Sequence, residues 1–172
     1  MDYKIAFLDR DGVINRSNTQ NGYIGKIEHF KLISGSIKAI KYLKSLNYKV
    51  VVVSNQSGIA RGYFKISDVY KVHKHLQDIL KDNNTKLDKI LFCPFHKDGK
   101  LKKYKKLSKL RKPENGMFKI INKIWKVDKK KSFMIGDQIT DMQFAKKSGI
   151  KGYLFKEKNL YKFITSKIKI NL

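Results

Sequence analysis

Short apolar runs alternate with amphipathic stretches along this chain, and the alternation predicts strands separated by helices. The clearest strand is Lys49 to Ser54, where four consecutive valines precede a serine, because a continuous β-branched run is typical of a strand buried on both faces. Further strands are predicted at Lys4 to Leu8, Lys89 to Phe92, Ser132 to Ile135 and Gly152 to Phe155. This alternation predicts an α/β fold with a doubly wound parallel sheet, and residues 1–172 as a single domain.

Four stretches place their apolar residues at helical spacing. Ser67 is predicted to be the N-cap of the most regular one, in which Val69, Val72 and Leu76 share a face. The other helices are predicted from 34–36 to about Asn47, at Gly116 to Trp125 and at Ile139 to Ser148. The tail from Lys156 to Leu172 alternates lysine with apolar residues, which predicts either a helix and a strand or a segment that lies on a partner.

Composition narrows the class of protein. The chain has 172 residues, of which 41% are hydrophobic and 12% aromatic, as is typical of a packed globular protein. Its one cysteine, Cys93, excludes an internal disulfide framework. The sequence shows no secretory signal and no apolar run near the roughly 18 residues of a membrane span. We therefore expect a soluble cytoplasmic protein without a membrane span, with a monomer favoured.

The chain is strongly basic, with 39 Lys and Arg against 14 Asp and Glu and a formal net charge of +25. Dispersed lysines attract phosphate groups without reading sequence, but they also occur on ordinary solvated surfaces. Arginine is scarce here, and Arg10, Arg61 and Arg111 all fall within the motifs described below. Because the guanidinium fork binds phosphate or carboxylate with two bonds, these positions indicate an anion site. For Arg10 and Arg61, a structural salt bridge is an equal alternative.

Polar residues follow the predicted strands at the point where each strand ends. These residues are Asp9, Asp11, Ser54, Asn55 and Asp137. The carboxyl ends of parallel strands meet at one edge of the sheet, so we expect these side chains to converge there. Arg111 and Lys112 precede a helix and are expected at the same edge.

Such a set of residues predicts phosphoryl-transfer chemistry. The carboxylates Asp9, Asp11, Asp137 and Asp141 would repel one another unless a cation neutralises them, and oxygen ligands alone suit Mg2+. A lysine and a metal ion together stabilise a transferring phosphoryl group. A carboxylate is also a competent nucleophile toward phosphorus, and a second one nearby can donate and accept the proton.

Four strings occur in an order that resembles the haloacid dehalogenase (HAD) superfamily of phosphatases. They are FLDRDGVIN (Phe7 to Asn15), VVVSNQSGIARG (Val51 to Gly62), RKPENGM (Arg111 to Met117) and IGDQITDM (Ile135 to Met142). The longer strings resemble the branch that contains D-glycero-D-manno-heptose 1,7-bisphosphate phosphatase and histidinol-phosphate phosphatase. The resemblance runs from about Lys4 to Gly152 and includes the NGY segment, Asn21 to Tyr23.

The resemblance implies roles for the acidic residues. Asp9 would be the nucleophile and Asp11 the general acid and base. Asp9, the backbone carbonyl of Asp11, and Asp137 would hold Mg2+. Asp141 would orient Lys112 or metal-bound water instead of binding the metal directly.

The resemblance also implies how substrate is bound. Ser54 and Lys112 would bind the transferring phosphoryl group. Asn55 and Arg111 would contact the rest of the substrate, with Arg111 suited to a second phosphate or to sugar hydroxyls. The two positions where superfamily members insert a cap domain hold 22 residues (12–33) and 17 residues (94–110) here. Neither segment is long enough for a domain, so the enzyme is expected to be capless.

The implied function is a Mg2+-dependent phosphomonoester hydrolase that works through an aspartyl-phosphate on a small phosphorylated metabolite. A heptose 1,7-bisphosphate, or a related sugar phosphate of surface-polysaccharide (lipopolysaccharide or capsule) synthesis, is the leading substrate. Histidinol phosphate and amino-alcohol phosphates are alternatives. A polynucleotide 3'-phosphatase is disfavoured, and nucleic acid is not expected as a partner, because the lysines lack the interleaved aromatic residues that stack on bases.

The chain departs from this branch at a structural zinc site. The branch usually has Cys-x-His followed by Cys-x-Cys, whereas this chain has CPF at 93–95 and SKL at 108–110. One ligand of four survives, so no zinc is predicted. Leu101, Tyr104, Leu107 and Leu110 recur every three residues, which predicts a helical turn that orders this loop by apolar packing.

Overall fold

A parallel sheet forms the centre of the computed structural model, which describes residues 2–17 and 23–168. The strands are β1 (Ile5–Leu8), β2 (Lys49–Asn55), β3 (Lys89–Cys93), β4 (Phe133–Gly136) and β5 (Lys151–Leu154). Their order in the sheet is β3-β2-β1-β4-β5, and every neighbouring pair is parallel. The predicted doubly wound α/β fold is confirmed, and no strand end differs from its prediction by more than one residue.

Five α-helices cover the two faces of this sheet. They are α1 (Ser36–Ser45), α2 (Ile66–Asp82), α3 (Gly116–Ile124), α4 (Ile139–Ser148) and α5 (Leu160–Lys167). Apolar residues of α1, α2 and α5 pack in one buried cluster, and those of α3 and α4 pack in a second cluster. Among the helices of the described residues, none combines the length and apolar character needed to cross a membrane.

The valine run of β2 shows why this strand lacks alternating polarity. Val50 and Val52 belong to the cluster under α1, α2 and α5, whereas Val51 and Val53 belong to the cluster under α3 and α4. Successive side chains of a strand point to opposite faces, so both faces of β2 need apolar residues. All four valines are fully buried.

The predicted N-cap of α2 is wrong. With Ser67 as its N-cap, the helix would begin at Asp68. It begins two residues earlier, at Ile66, and its N-cap is Lys65. The Asp68 carboxylate accepts the backbone N–H of Lys65 at 2.8 Å. A carboxylate in the first turn satisfies an otherwise unpaired N–H and interacts favourably with the helix dipole, so it sets the start of the helix.

The segment between β3 and α3 also differs from its prediction. It contains a short 3-10 helix at Lys102–Tyr104, but the three-residue apolar repeat does not pack as a unit, because Leu107 is 83% exposed while Leu110 packs against the cluster under α3 and α4. Backbone bonds order this part of the loop instead: Leu101 donates to Ala60 at 3.0 Å, and His96 donates to Tyr104 at 3.2 Å. Between β1 and α1, the described residues form turns and a 3-10 helix at Ile27–His29.

The C-terminal tail contains the predicted helix, α5, which packs on α1. The rings of Tyr42 and Tyr161 lie 5.8 Å apart, and the Tyr42 hydroxyl donates to the carbonyl of Ile168 at 3.1 Å. The strand predicted beyond this helix falls on 169–172, outside the described residues. Asn21 and Gly22 of the NGY segment also lie outside them.

The strand order reverses at β1, and the connections on its two sides lie on opposite faces of the sheet. From β1 the chain proceeds to β2 on one side, and it later returns to place β4 on the other side. In sheets of this kind a crevice opens between the two sets of loops at the carboxyl ends of the central strands. The topology therefore locates the candidate site at the ends of β1, β2 and β4.

One buried histidine in α2 makes the stability of this fold depend on pH. The His73 ring packs edge-on against Phe92 at 5.3 Å, and its Nε2 has no hydrogen-bond partner within the described ranges. Burial, assisted by the charge of Arg10, lowers the pKa of His73 from 6.5 to about 3. As pH falls below 6.5, the unfolded chain binds a proton that the folded chain does not, so stability decreases.

Replacing this histidine, in a His73→Leu variant, should remove that pH dependence. Between pH 7.5 and 5.5 the wild-type protein should lose about 1.4 kcal/mol more unfolding free energy than the variant. Urea denaturation at the two pH values measures this difference. A His75→Leu variant, altered on the same helix, should keep the wild-type dependence, and equal losses in wild type and His73→Leu would contradict the assignment.

Candidate active site

All eight polar residues singled out from the sequence as site residues line one cavity of about 360 Å³ at the predicted edge of the sheet. They are Asp9, Asp11, Ser54, Asn55, Arg111, Lys112, Asp137 and Asp141. The end of β1 positions the first two, the end of β2 the next two, and the turn after β4 positions Asp137. The remaining lining residues, which were not singled out as site residues, are Ser17, Tyr23, Ser57, Gln138 and Thr140.

The Lys112 ammonium group lies buried at the centre of this arrangement. Its Nζ is 3.1 Å from Asp9 Oδ1 and 2.6 Å from Asp141 Oδ1, and it donates to the carbonyl of Val53 at 2.8 Å. The Asn55 side chain holds the backbone of the same lysine, because its amide donates to the Lys112 carbonyl and accepts the Lys112 N–H, both at 3.0 Å. The lysine is therefore fixed at both its backbone and its tip.

Burial and neighbouring charges alter the acidity of this pair. Burial raises the pKa of Asp9 to about 7, opposed by the attraction of Lys112 and assisted by the charges of Asp141, Asp11 and Asp137. Burial alone would lower the pKa of Lys112, but the charges of Asp9 and Asp141 raise it above its ordinary value. The lysine therefore stays charged, while the Asp9 carboxylate lacks enough positive charge around it to ionise as readily as a free aspartate.

The acidic groups have the geometry of a metal site. One carboxylate oxygen from each of Asp9, Asp137 and Asp141 lies within 4.8 Å of the others. Asp137 Oδ1 is buried and has no hydrogen-bond partner among the residues described, and burial raises the pKa of Asp137. A hard divalent cation that takes oxygen ligands would pair with this oxygen and favour the ionised form of both carboxylates. The donor set therefore fits Mg2+.

Asp141 differs from Asp137 because its Oδ1, which likewise has no hydrogen bond of good geometry among the described residues, forms an ion pair. Oδ1 contacts Lys112, and Oδ2 accepts the backbone N–H of Gln138 at 3.0 Å. The second contact caps the N-terminus of α4. Gly136 leaves room for this carboxylate, since a Cβ at that position would lie 2.2 Å from Asp141 Oδ2.

The Asp11 carboxylate is held by three side chains. Arg10 donates from Nε to Oδ1 and from a terminal nitrogen to Oδ2, each at 3.0 Å. Asn15 donates to Oδ1 and Gln56 donates to Oδ2, both at 2.8 Å. Arg10 thus forms the buried salt bridge that was one of its two alternatives. Gln56 and Asn15 were missed as site residues, although both lie within the strings that carry the family resemblance.

Arg111 and Tyr23 lie on the outer part of the cavity. Arg111 is half-buried, one of its terminal nitrogens has no hydrogen-bond partner in the described part of the chain, and burial lowers its pKa. The Tyr23 hydroxyl is 2.7 Å from the Ser57 hydroxyl. A terminal nitrogen of Arg61 lies 3.4 Å from His96 Nε2 beside this region, and within residues 2–17 and 23–168 Arg61 forms no salt bridge of the kind considered for it.

The loop at which the family resemblance implied a zinc site contains Cys93 as its one remaining candidate ligand. Cys93 is buried, its thiol donates to the carbonyl of Phe95 at 3.8 Å, and burial raises its pKa. A neutral thiol with a carbonyl partner is a packing residue instead of a metal ligand. The absence of zinc stays a prediction.

Comparisons with known proteins agree with the fold and identify the family. The family model described as polynucleotide kinase 3 phosphatase matches residues 4–149. A D-glycero-beta-D-manno-heptose-1,7-bisphosphate 7-phosphatase from Rhodopseudomonas palustris is 39% identical over 159 residues, which cover 92% of this chain and 87% of the relative. A protein of the same name from Pasteurella multocida is 40% identical over 148 residues, 86% of this chain and 78% of the relative.

A solved structure is similar over nearly the full length. The D,D-heptose 1,7-bisphosphate phosphatase from B. bronchiseptica, complexed with magnesium and phosphate, superimposes with a TM-score of 0.79 at 27% identity, covering 96% of this chain and 87% of that one. Fold, cavity and comparisons together define a phosphatase of the HAD superfamily. Within that class, the chain belongs to the polynucleotide kinase 3 phosphatase family.

A Gly12→Ala variant tests the room around Asp137. Gly12 has a φ of +90°, and a Cβ there would lie 2.3 Å from Asp137 Oδ2. The methyl group should displace the carboxylate and lower the hydrolysis rate of p-nitrophenyl phosphate by about 100-fold or more. The backbone strain itself should cost about 1–2 kcal/mol of unfolding free energy.

Gly149→Ala is the matched control for this experiment. Gly149 also has a positive φ, of +71°, but the nearest atoms to its Cβ position belong to the flexible Lys129 side chain, at 3.5 and 3.6 Å. This variant should show a similar loss of stability and wild-type hydrolysis. Equal hydrolysis rates of the two variants would show either that the methyl group does not displace Asp137 or that hydrolysis does not require Asp137.

Proposed function

We propose that this chain is a Mg2+-dependent heptose 1,7-bisphosphate 7-phosphatase that works through an aspartyl-phosphate. The observation that carries this proposal is identity of 39–40% with relatives of that name over most of both chains, combined with a cavity lined by the full set of candidate residues. The magnesium and phosphate bound by the similar B. bronchiseptica enzyme support the metal and the phosphate site.

Asp9, Asp137 and the backbone carbonyl of Asp11 would hold Mg2+. When bound, the ion would offset the negative charge of the phosphoryl group and of the carboxylates around it. Asp141 acts through Lys112 as a positioning residue, because its two oxygens are used by the lysine and by the start of α4. Ser54 binds a phosphoryl oxygen, and the charge of Lys112, whose three N–H groups face Asp9, Asp141 and the Val53 carbonyl, attracts the phosphoryl group.

In the first step, an Asp9 carboxylate oxygen attacks phosphorus. The new bond joins this oxygen to phosphorus, the bond from phosphorus to the ester oxygen breaks, and the leaving oxygen takes a proton from Asp11. Lys112, 3.1 Å from Asp9 Oδ1, holds the nucleophilic carboxylate and remains charged throughout. This ammonium offsets part of the charge that the phosphoryl group brings into the cavity.

In the second step, water attacks the phosphorus of the aspartyl-phosphate. Asp11, now ionised, takes the proton of the water, the bond between phosphorus and the Asp9 oxygen breaks, and phosphate leaves. Asp9 returns to its carboxylate form and Asp11 to its protonated form, so each cycle consumes one water molecule and one phosphate ester.

The outer part of the cavity accounts for recognition of the rest of the substrate. The unpartnered nitrogen of Arg111 suits the second phosphate of a bisphosphate, since a guanidinium binds phosphate with two bonds. Asn55 lines the cavity but holds the Lys112 backbone, so its contribution to substrate binding is chiefly indirect.

We further propose a single-domain, capless, cytoplasmic monomer that acts in surface-polysaccharide synthesis.

A panel of phosphate esters tests the substrate. With Mg2+, heptose 1,7-bisphosphate should give a kcat/KM at least about 100-fold higher than histidinol phosphate or an amino-alcohol phosphate, with heptose 1-phosphate as product. Chelation should abolish activity and added Mg2+ should restore it. A 3'-phosphorylated oligonucleotide must be assayed as an alternative substrate, because of the family description and the net charge of +25. A higher kcat/KM for the oligonucleotide than for heptose 1,7-bisphosphate would overturn the heptose assignment.

An Asp9→Asn variant tests the nucleophile. The amide cannot form an aspartyl-phosphate, so kcat should fall at least about 1,000-fold, and the phosphoenzyme trapped from wild type should be absent. Asp88→Asn is the control, because Asp88 also pairs with lysines, Lys44 and Lys49, but lies outside the cavity. That variant should lose stability and keep kcat, whereas an active Asp9→Asn enzyme would exclude the mechanism.

A further inference from the structure

One buried amide joins the phosphate-binding hydroxyl to the acid/base carboxylate. Gln56 is fully buried, and its Nε2 donates to Ser54 Oγ at 2.9 Å and to Asp11 Oδ2 at 2.8 Å. Both N–H groups of the amide are therefore used within the site. Because Ser54 Oγ accepts one of them, its own O–H is left to donate to a phosphoryl oxygen.

Arg10 dictates which way this amide faces. The guanidinium of Arg10 is fully buried, lies 3.4 Å from Gln56 Oε1 and donates to the carbonyl of Ile24 at 2.7 Å. A flipped amide would set its oxygen against the Asp11 carboxylate and its N–H groups against the guanidinium. Both contacts would be repulsive, so the charges on either side select the observed orientation.

We propose that Gln56 is a positioning residue, supported by Arg10, that fixes the Asp11 carboxylate relative to the phosphoryl group bound at Ser54. This inference rests on the proposed function. The Asp11 side chain is held by four donated hydrogen bonds, yet 11% of it remains exposed, toward the cavity it lines. Each of its oxygens accepts two N–H groups, so protonation of Asp11 displaces one of these donors, and the remaining donors set the direction in which the carboxyl group reaches the leaving oxygen.

Position matters because proton transfer needs close approach of the two oxygens, about 2.6–3.2 Å. Loss of Gln56 would leave Oδ2 of Asp11 with one donor, a terminal nitrogen of Arg10, while Arg10 Nε and Asn15 still hold Oδ1. The carboxylate would then be free to turn about these remaining contacts, away from Ser54. A displaced acid harms the first chemical step most when the leaving oxygen is a poor leaving group, since such an oxygen must be protonated as it departs.

Leaving-group dependence therefore provides the test, in a Gln56→Met variant of similar size without N–H donors. We expect kcat/KM to fall about 10- to 100-fold for an alkyl phosphate such as a sugar phosphate, but less than about threefold for p-nitrophenyl phosphate. The ratio kcat/KM reports the steps up to aspartyl-phosphate formation, so slow hydrolysis of that intermediate does not obscure it. A Gln56→Leu variant, which also lacks the donors and adds no charge beside Asp11, should show the same selectivity if Gln56→Met does not fold.

Gln77→Met is the matched control. The Gln77 side chain also forms two hydrogen bonds, both with the backbone of Leu87, but it lies in α2 outside the cavity. This variant should keep the wild-type ratio between the two substrates. Equal losses on both substrates in the Gln56 variants would reduce Gln56 to a structural residue and overturn the inference. A wild-type enzyme that hydrolysed neither substrate would instead refute the proposed function.

Discussion

The buried ammonium group of Lys112 is the interaction on which the site depends. A charge removed from water is tolerated only when it is paired and hydrogen-bonded, and here Asp9, Asp141 and the Val53 carbonyl supply these partners. These partners come from β1, the start of α4 and β2. One lysine therefore holds three elements of the sheet edge at a fixed separation, while Asp137, which forms no ion pair with it, keeps a buried oxygen without a hydrogen-bond partner among the described residues.

Much of the fold followed from the sequence because the deciding features are local. The valine run of β2 identifies a strand buried on both faces, and strands alternating with helices admit few arrangements. The convergence of Asp9, Ser54 and Asp137 was predictable for the same reason, since a parallel sheet brings its carboxyl ends together. The roles of these residues remain proposals, even though their positions are those expected.

The features that the sequence did not reveal depend on contacts between distant residues. Within its string, Gln56 is one polar residue among several. Its contacts with Arg10 on one side and Asp11 on the other are evident only in the folded structure. Leu107 has the spacing of a packed residue, but backbone pairing of the loop with Ala60 leaves it in solvent. In the first turn of α2, Asp68 competes with Ser67 as the capping group, and a spacing argument does not decide between them.

Val53 belongs to the hydrophobic interior and to the site at once. Its side chain packs beneath α3 and α4, while its carbonyl oxygen accepts a hydrogen bond from Lys112. A change in the volume of the side chains packed against Val53 would therefore shift the Lys112 ammonium group through the Val53 carbonyl, without the movement of any loop. The interior packing of this enzyme therefore influences the position of the Lys112 ammonium group as well as the stability of the fold.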